Sequence, residues 1–599
     1  MIKLADYVVQ TLSRWGIKHV FMFPGGGAIH LVDSLGKSPK LDFVCNLHEQ
    51  ACAIAAEAYS QCSGNFAAAL VTTGPGGTNA VTGVAGAWLD STPMIVLSGQ
   101  VKRADLATGR GVRQMGPQEL DIISIVKGIT KYAVTVCEPA DIRYHLEKAF
   151  HLAKSGRPGP VWLDIPLDVQ SAMIDERRLR RFVPGAAPNI GEGLRRKIAG
   201  VIDLLNHASR PVILVGNGVR LAGALKDFRT LVELWNIPVL TTWKAIDFLP
   251  DDHRLYVGRP GLIGQRGANF VQQNCDCIIM LGARMDLLQV AFDWKTFARE
   301  ARKVMVDVDP HEIRKLTCKI DLPICADAKV VIGELLNAKR TLKSRNRIPW
   351  LTRCKEWNRE YPVVSQQYRR EAGVVNLYVL LDVLSDMLTK DDVVVPGSSG
   401  QCSEVFLQTF RVKDGQRVFN TPGLGAMGFG LPASIGACLA SGRRRTICIN
   451  GDGGFQLNIQ ELETVRRLNL PIKFFILIND GYASVKGTQR SSFNSHFVAC
   501  DASSGLTLPD ILKLAEVYGI TTARIENHDN LRGRVRKVLG LPGPVICEVS
   551  VSMDQIVAPK VISKLNPDGT VTSKPMEDMW PFLDRGEFKA NMIVTPMDE

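Results

Sequence analysis

The sequence lacks the features of membrane proteins and of disulfide-rich secreted proteins. No stretch reaches the roughly 18 consecutive apolar residues that a membrane-spanning helix needs. The 14 cysteines are scattered, with no CxxC pair and no zinc-ligand spacing. The first residues carry Asp6 and an amphipathic period instead of the apolar run of a secretion signal. We therefore expect a soluble, cytoplasmic protein with reduced cysteines and no membrane association.

The sequence also lacks a concentrated basic patch. Its 72 basic and 60 acidic residues give a net charge of +12, but the densest basic cluster, residues 176–181, is short and contains an acid. This pattern favours a solvated surface over a nucleic-acid site, although it would still attract anionic substrates. No nucleic-acid motif is present, and we expect no nucleic-acid partner.

What the sequence does contain is short apolar runs that alternate with helix-length amphipathic segments. Such runs are typical of parallel strands buried on both faces. They fall into three blocks, so we predict an α/β fold of three consecutive doubly wound parallel sheets, with ligands beyond the carboxyl ends of the strands. Residues 183–196, rich in Pro and Gly, and the basic residues 338–349 are predicted linkers. The predicted units are 1–182, 183–340, 341–560 and a tail, 561–599.

The third block carries a metal-binding pattern. Asp452 directly follows a predicted strand, and Asn479 follows the next strand, 27 residues later. Both side chains therefore leave the same sheet edge, and the Gly481 carbonyl can add a third oxygen. Three hard oxygen ligands suit Mg²⁺ that also binds a diphosphate. The glycines that would let the backbone approach the phosphates are Gly451, Gly453 and Gly454.

This GDG…NDG spacing is similar to the signature of thiamine diphosphate (ThDP) enzymes. Residues 423–437 and 451–473 resemble the acetolactate (acetohydroxyacid) synthase branch of that family, and the likeness extends from 24–35 to 509–520. The resemblance implies decarboxylation of pyruvate and transfer of the two-carbon unit to a second carbonyl. In the acetolactate synthase reaction, two pyruvates give 2-acetolactate and CO₂.

Glu49 is the candidate activating acid. It stands after a predicted strand, at the start of a small-residue helix, where an acid can either complement the helix N-terminus or act in catalysis. The resemblance assigns it the catalytic role, a hydrogen bond to the cofactor aminopyrimidine. It also places Gln118 at the reacting centre.

The resemblance further implies cofactor contacts around both half-sites. Met427 matches the apolar residue that holds ThDP bent, although core packing is the alternative for any Met. The other contacts are Pro24, Gly25, Gly26, Thr73, Gly74, Pro75, Asn79, Gly400, Gln401 and Gly425. Because the glutamate and the diphosphate site come from different subunits in this family, we expect a homodimer, with a homotetramer as the favoured larger assembly. A regulatory subunit is a further partner that the family allows.

The middle block has glycine-rich turns and acids at its strand ends, which suit either a dinucleotide or a vestigial sheet without a ligand. The resemblance implies FAD with a structural role, contacted by Arg157. The candidate FAD residues of the middle block are Gly216, Gly218, Gly282, Arg284, Asp307, Asp309 and Asp327.

Several departures from the synthase pattern fall in the predicted acceptor pocket. Pro117 stands where the synthases carry Phe, Thr488 stands where they carry Trp, and Cys402 replaces a His. Loss of two aromatics predicts a wider pocket, with Lys486 beside it. The tail has apolar residues that could form a lid, and it resembles relatives that transfer acetyl groups to keto-sugar nucleotides.

Four functions therefore stay open at this point. The first is acetolactate synthesis, and the second is the same donor reaction with a larger ketone or keto-sugar nucleotide acceptor. The third is a flavin-linked pyruvate oxidase, which would pass electrons to FAD. The fourth is a catalytically silent regulatory or structural relative, and the joint presence of Glu49, Asp452 and Asn479 argues against it.

Overall fold

The computed structural model describes residues 1–185, 191–566, 568 and 571–597. It contains three parallel sheets in succession along the chain, each flanked by helices. The predicted fold class is therefore confirmed. Part of the first predicted linker is helical, because α8 (Glu192–His207) begins inside residues 183–196. Within the described part of the chain, no helix combines the length and apolar character that a membrane crossing requires.

The first unit is built on a six-stranded parallel sheet of order β3-β2-β4-β5-β7-β6, with β1 and β8 as a separate antiparallel pair. Its strands are β1 (Ile2–Lys3), β2 (His19–Met22), β3 (Asp42–Cys45), β4 (Ala67–Val71), β5 (Met94–Gln100), β6 (Tyr132–Thr135), β7 (Val161–Pro166) and β8 (Met173–Ile174). Its helices are α1 (Leu4–Arg14), α2 (Ile29–Gly36), α3 (Glu49–Ser63), α4 (Pro75–Leu89), α5 (Ile122–Val126), α6 (Ile142–Lys154) and α7 (Leu167–Ser171).

The middle unit has a five-stranded parallel sheet of order β10-β9-β11-β12-β13. Its strands are β9 (Pro211–Val215), β10 (Val239–Thr241), β11 (Cys277–Leu281), β12 (Arg302–Asp307) and β13 (Leu322–Cys325). Besides α8, its helices are α9 (Gly218–Leu221), α10 (Leu225–Trp235), α11 (Arg266–Asn274), α12 (Pro310–Arg314) and α13 (Ala328–Asn337). Two helices, α14 (Ile348–Glu360) and α15 (Gln366–Arg370), lead to the next sheet.

The third unit repeats the six-stranded arrangement, in the order β15-β14-β16-β17-β19-β18. Its strands are β14 (Val393–Pro396), β15 (Arg417–Val418), β16 (Thr446–Gly451), β17 (Ile472–Ile478), β18 (Thr521–Ile525) and β19 (Val545–Ser550). Its helices are α16 (Leu377–Met387), α17 (Gln401–Thr409), α18 (Gly430–Ala440), α19 (Asp452–Gln456), α20 (Leu462–Arg467), α21 (Ala483–Ser492), α22 (Ile511–Val517) and α23 (Leu531–Gly540).

The first and third units share one hydrophobic core. Helices α3 and α18 are rich in small residues and pack closely, because a Cβ on Gly436 would lie 2.1 Å from the Ala55 carbonyl oxygen. Only glycine allows that approach. The shared core contains Ile435 of α18 together with Ala55 and Ala56 of α3. This packing fixes α3, which begins at Glu49, against the unit that carries Asp452.

The tail lies against the middle unit. It contains the hairpin β20 (Ser563–Leu565) and β21 (Val571–Ser573), and helix α24 (Arg585–Ala590). Asn269 of α11 donates to the Met576 carbonyl oxygen over 2.8 Å, and the Trp357 indole donates to Asn591 Oδ1 over 2.8 Å. These bonds fasten residues 576–591 to α11 and α14. The lid function predicted for the tail stays a prediction.

Candidate active site

Asp452 lies where β16 ends and α19 begins, beside the end of the neighbouring strand β17. It is 3% exposed. One carboxylate oxygen accepts from the backbone N–H of Gly453 at 2.7 Å, and the other from those of Asn479 and Asp480 at 3.1 and 2.8 Å. Burial raises the pKa of Asp452 to about 6, and the three backbone bonds oppose this rise. The predicted meeting of the two strand ends is thus observed.

The Asn479 side chain leaves an oxygen ready for a cation. Its Oδ1 is buried and has no hydrogen-bond partner among the described residues. A buried amide oxygen without a partner is costly unless a ligand satisfies it. Gly481 lies in tight contact with the chain beside it, since an added Cβ would stand 2.1 Å from the Cys500 carbonyl oxygen. The donor types at this edge, one carboxylate, one amide oxygen and one backbone carbonyl, fit Mg²⁺.

A cradle of glycines and apolar side chains surrounds Asp452. A Cβ on Gly453 would lie 2.4 Å from the Tyr482 ring and 3.6 Å from Met427 Cε. Gly400 and Gly425 have φ angles of +69° and +66°, which favour glycine. Met427 is partly exposed beside this cradle, which is compatible with the predicted cofactor contact. The neighbouring side chains are fixed, since Gln401 Nε2 donates to the Gln555 carbonyl oxygen over 2.6 Å.

Glu49 is the first residue of α3 and is 6% exposed. His48 caps the helix, because its Nδ1 accepts from the Gln50 N–H at 3.0 Å. Asn79 of α4 donates to Glu49 Oε2 over 3.0 Å. The other oxygen, Oε1, faces Gly76, where an added Cβ would lie 3.5 Å away. One oxygen is therefore held while the other stays accessible.

The loop that carries Gln118 closes over the turn before α4. Gln118 has a φ of +60°, and a Cβ on Gly74 would lie 2.2 Å from the Gln118 carbonyl oxygen. Glu119 fixes this loop by accepting from the backbone N–H groups of Ala107, Met115 and Gly116. Pro117 and Gln118 are exposed on its surface.

The remaining predicted residues of this half-site lie around that turn. Thr73 is buried, and Pro75 is exposed at the start of α4. Pro24, Gly25 and Gly26 form the turn after β2, and a Cβ on Gly25 would lie 2.5 Å from the Thr72 side chain.

The two half-sites are joined through neighbours and not directly. Glu49 and Asp452 share no hydrogen bond within residues 1–185 and 191–566. Instead, Asn458 Nδ2 donates to Gln50 Oε1 over 3.3 Å and to the Gly428 carbonyl oxygen over 2.7 Å. The residue after Glu49 is thus linked to the residue after Met427.

A cavity of about 760 Å³ opens where the three units meet. Its volume falls in the range of about 300–1,000 Å³ that is usual for ligand sites. The ends of β9 and β11 meet at its floor, because a Cβ on Gly216 would lie 2.3 Å from the Gly282 carbonyl oxygen. The candidate FAD residues on its wall are Arg157, Gly216, Gly218, Gly282, Arg284, Asp307 and Asp327. Asp309 lies outside the wall.

The charged side chains at this cavity are held by backbone N–H groups and by ion pairs with one another. Burial raises the pKa of Asp307 to about 6. Asp309 caps α12 by accepting from the His311 N–H at 2.9 Å, and it pairs with Arg157 at 3.4 Å. Arg157 also binds Glu312 at 2.6 Å, so it bridges the first and middle units. Asp327 caps α13 in the same way.

Helix α21 carries two of the residues predicted for the acceptor pocket, Thr488 and Lys486, and none of its residues is buried. Thr488 is exposed, and its hydroxyl donates to the Ser484 carbonyl oxygen over 3.0 Å. Lys486 Nζ pairs with Asp501 at 2.6 Å, which holds the pKa of Asp501 well below its usual range.

Cys402 is buried, and its thiol donates to the Ser399 carbonyl oxygen over 3.1 Å.

Several residues that line the large cavity were not predicted from the sequence. Trp243 and Trp294 of the middle unit supply aromatic wall, and Asp90 of the first unit is paired there with Lys244 at 2.9 Å. No local motif surrounds any of these residues. Their grouping depends on how the three units pack, which single-sequence patterns do not report.

Comparison with protein-family models gives three matches along the chain. Residues 2–125 match the N-terminal thiamine pyrophosphate (TPP) binding domain of thiamine pyrophosphate enzymes. Residues 198–335 match the central domain, and residues 398–549 match the C-terminal TPP binding domain. Each match falls in a different one of the three sheet units described above, and the central match spans its whole sheet.

Curated relatives are similar over most of the chain. An acetolactate synthase of Arthrospira platensis is 32% identical over 581 residues, covering 92% of this chain and 95% of the relative. A probable acetolactate synthase large subunit of Methanocaldococcus jannaschii is 32% identical, covering 92% of each chain. The chloroplastic acetolactate synthase 1 of Zea mays is 32% identical, covering 94% of this chain and 87% of the relative.

Proposed function

The chain belongs to the acetolactate synthase family of thiamine pyrophosphate enzymes, and from this premise we propose that it converts pyruvate to 2-acetolactate. Two pyruvate anions and one proton give one acetolactate anion and CO₂. The observation that carries the proposal is the pair of half-sites: Glu49, held by Asn79, and the Asp452–Asn479 edge, whose amide oxygen has no partner in the part of the chain that the structure describes.

Bound ThDP supplies a nucleophilic carbon and an electron sink for the pair of electrons released with CO₂. Glu49 offers Oε1 to the pyrimidine, because Asn79 occupies Oε2. Gln118, presented on an exposed loop, is the candidate hydrogen-bond donor to the substrate oxygen. Gly453, at the start of α19 beside Asp452, would let the backbone approach the diphosphate end.

Mg²⁺ is the cation that these donors suit best. Asp452, the Asn479 amide oxygen and the Gly481 carbonyl would hold it, and its remaining positions would go to diphosphate oxygens. Occupation would also satisfy Asn479 Oδ1, which has no partner among the described residues. Magnesium would act by anchoring the diphosphate, away from the reacting carbon.

FAD is the ligand that we propose for the 760 Å³ cavity. Glycine backbones at Gly216 and Gly282 admit a pyrophosphate, and aromatic side chains such as Trp243 offer surface to a ring system. Its role would be structural, since the reaction moves no net electrons. Purified protein should therefore carry flavin, and anaerobic pyruvate should leave the flavin spectrum unchanged. Bleaching would instead favour the oxidase alternative.

A homodimer would complete the active site. Within one chain, Asn79, Pro117 and Gln118 are exposed around Glu49, and α21 is exposed beside the Asp452 edge. Functional side chains that are exposed in a single chain are expected where a second copy of the chain covers the site. A homotetramer or an added regulatory subunit would extend this unit.

A larger acceptor is the second candidate for the second half-reaction. The exposed Thr488 and the Pro117 loop support it, since neither narrows the approach to the site as an aromatic side chain would. The test supplies pyruvate with single acceptors: pyruvate, 2-ketobutyrate, simple ketones and keto-sugar nucleotides. Products identified by mass decide between the two. Acetolactate as the main product supports the first proposal, and an acetyl-extended ketone or sugar supports the second.

A further inference from the structure

A buried carboxylate of the third unit lies against the segment that leads into Glu49. Glu461 is fully buried, and it ends the short 3-10 turn Ile459–Glu461 before α20. Its Oε2 accepts from Asn46 Nδ2, and its Oε1 accepts from the Leu47 N–H, both at 2.8 Å. Thr464 donates to Oε2 over 2.8 Å. A single carboxylate thus binds the two residues that stand three and two positions before Glu49.

Further bonds on either side extend this contact. An Arg467 guanidinium N–H donates to the Cys45 carbonyl oxygen over 2.6 Å, and Asn458 donates to Gln50 Oε1 over 3.3 Å. Residues 45–50 are therefore held from residues 458–467 on both sides of Glu49. The backbone that carries Glu49 has little freedom to turn while these bonds are intact.

Glu461 also lies close in sequence to the metal edge. Asp452 begins α19, and residues 452–461 run directly from the candidate Mg²⁺ ligand to the Glu461 carboxylate. Burial raises the pKa of Glu461, so an unmatched negative charge would be costly at this place. The hydrogen bonds from Asn46, Leu47 and Thr464 offset part of that cost.

We propose that Glu461 is a positioning residue that fixes the orientation of the Glu49 carboxylate and couples it to the diphosphate-binding unit of the same chain. The proposal rests on the proposed function only through the role of Glu49 in activating ThDP. Glu461 is fully buried and so is not open to cofactor or substrate. Its effect passes through Asn46 and Leu47 to the first turn of α3.

The test uses full-length protein and the exchange of the thiazolium C2 proton of bound ThDP for deuterium, followed by acid quench and NMR. This rate reports cofactor activation without any substrate. Three variants are compared with the parent: Glu461→Ala, Glu461→Gln and Glu463→Ala. Glu463 is the matched control, because it lies two residues away in α20 and pairs only on the surface, with Arg466 at 2.5 Å.

Glu461→Ala should slow the exchange by about ten-fold or more, with ThDP affinity changed by less than about three-fold, because misplacement of a reacting group costs rate more than binding. Glu461→Gln should recover most of the rate. Among the described residues the Asn46 side-chain oxygen has no partner, so a turned Asn46 amide can accept from the new Gln N–H. Glu463→Ala should behave as the parent.

Unchanged exchange in Glu461→Ala with ThDP bound would overturn the proposal. If that variant does not fold, Asn46→Ala carries the test, since it removes one bond from the other side of the contact. Slowed exchange there supports the proposal, and unchanged exchange overturns it. Glu49→Gln separates the two hypotheses: normal exchange in that variant contradicts the proposed function itself, whereas slow exchange there with normal exchange in Glu461→Ala contradicts only the positioning role.

Discussion

Asn79 Nδ2 donates a 3.0 Å hydrogen bond to Glu49 Oε2, which joins the start of α4 to the start of α3. The bond leaves Glu49 Oε1 facing Gly76, where an added Cβ would lie 3.5 Å away. An acid that must bind a cofactor nitrogen needs one oxygen free and a fixed plane. This bond provides both.

Asn79→Ala should therefore lower kcat by about 10- to 100-fold, because Glu49 loses its orienting partner while the charge stays in place. ThDP affinity should change little. The measurement is steady-state CO₂ release from pyruvate, together with ThDP titration by fluorescence. Thr78→Ala is the matched control, because Thr78 is the exposed neighbour whose hydroxyl donates to the Pro75 carbonyl oxygen at 3.2 Å. Equal effects of the two substitutions would contradict the role given to Asn79.

Asp452→Ala should weaken Mg²⁺-dependent ThDP binding by at least about 100-fold, because it removes the one carboxylate from the proposed ligand set. Calorimetric titration of ThDP with and without Mg²⁺ measures this effect. Asp480→Asn is the control. Asp480 has a φ of +59°, which Asn adopts readily, and its backbone N–H can still donate to Asp452. Magnesium-dependent binding that survives in Asp452→Ala would refute the metal site.

Thr488→Trp should narrow the range of acceptors, because an indole on the exposed face of α21 would fill space that Thr leaves open. The yield with simple ketones or keto-sugar nucleotides should fall relative to the acetolactate yield, as measured by product mass in competition. Ser491→Trp adds the same ring at another exposed position of α21. An unchanged product ratio in Thr488→Trp would place the acceptor elsewhere.

The buried Asp164 should make stability depend on pH. It accepts from Ser98 and Gln100 at 2.6 and 3.1 Å, and burial raises its pKa to about 7. The folded chain therefore binds this proton more tightly than the unfolded chain, whose Asp has a pKa of about 4. Protonated Asp164 therefore stabilises the fold at low pH. This contribution to the free energy of unfolding, about a few kcal/mol, is lost as pH rises from about 4 to about 7.

The difference in melting temperature between the parent and Asp164→Asn should consequently fall as pH rises from about 5 to about 8. Differential scanning fluorimetry at constant ionic strength measures it, and effects of other groups cancel in the difference. Asp391→Asn, at an exposed turn before β14, should show no such trend. A difference that is flat with pH would show that Asp164 stays ionised in the fold.

Local patterns predict those parts of the site that lie at strand ends. The apolar run before Asp452 and the run before Asn479 each indicate a buried parallel strand, and parallel strands end at a common edge. Their meeting needs no long-range information. Glu49 is predictable only as the acid that begins a helix after a strand, and its catalytic role required the family likeness.

Contacts between units could not be predicted from the sequence, because local patterns do not indicate which distant residues will meet. Glu461 binds Asn46 across 415 positions of the chain, and neither residue belongs to a periodic pattern that indicates its partner. The same holds for Lys244 and Asp90 at the large cavity. The Glu461–Asn46 contact accompanies the packing of α3 on α18, which depends on small residues at particular positions and not on hydrophobic period.

The most direct test of the central claim follows CO₂ release from pyruvate by the purified chain with ThDP, Mg²⁺ and FAD, in the parent and in Glu49→Gln. The account predicts steady release by the parent, and a rate several orders of magnitude lower in Glu49→Gln although ThDP stays bound. A parent that binds ThDP and releases no CO₂, or a Glu49→Gln variant with nearly normal turnover, would contradict it.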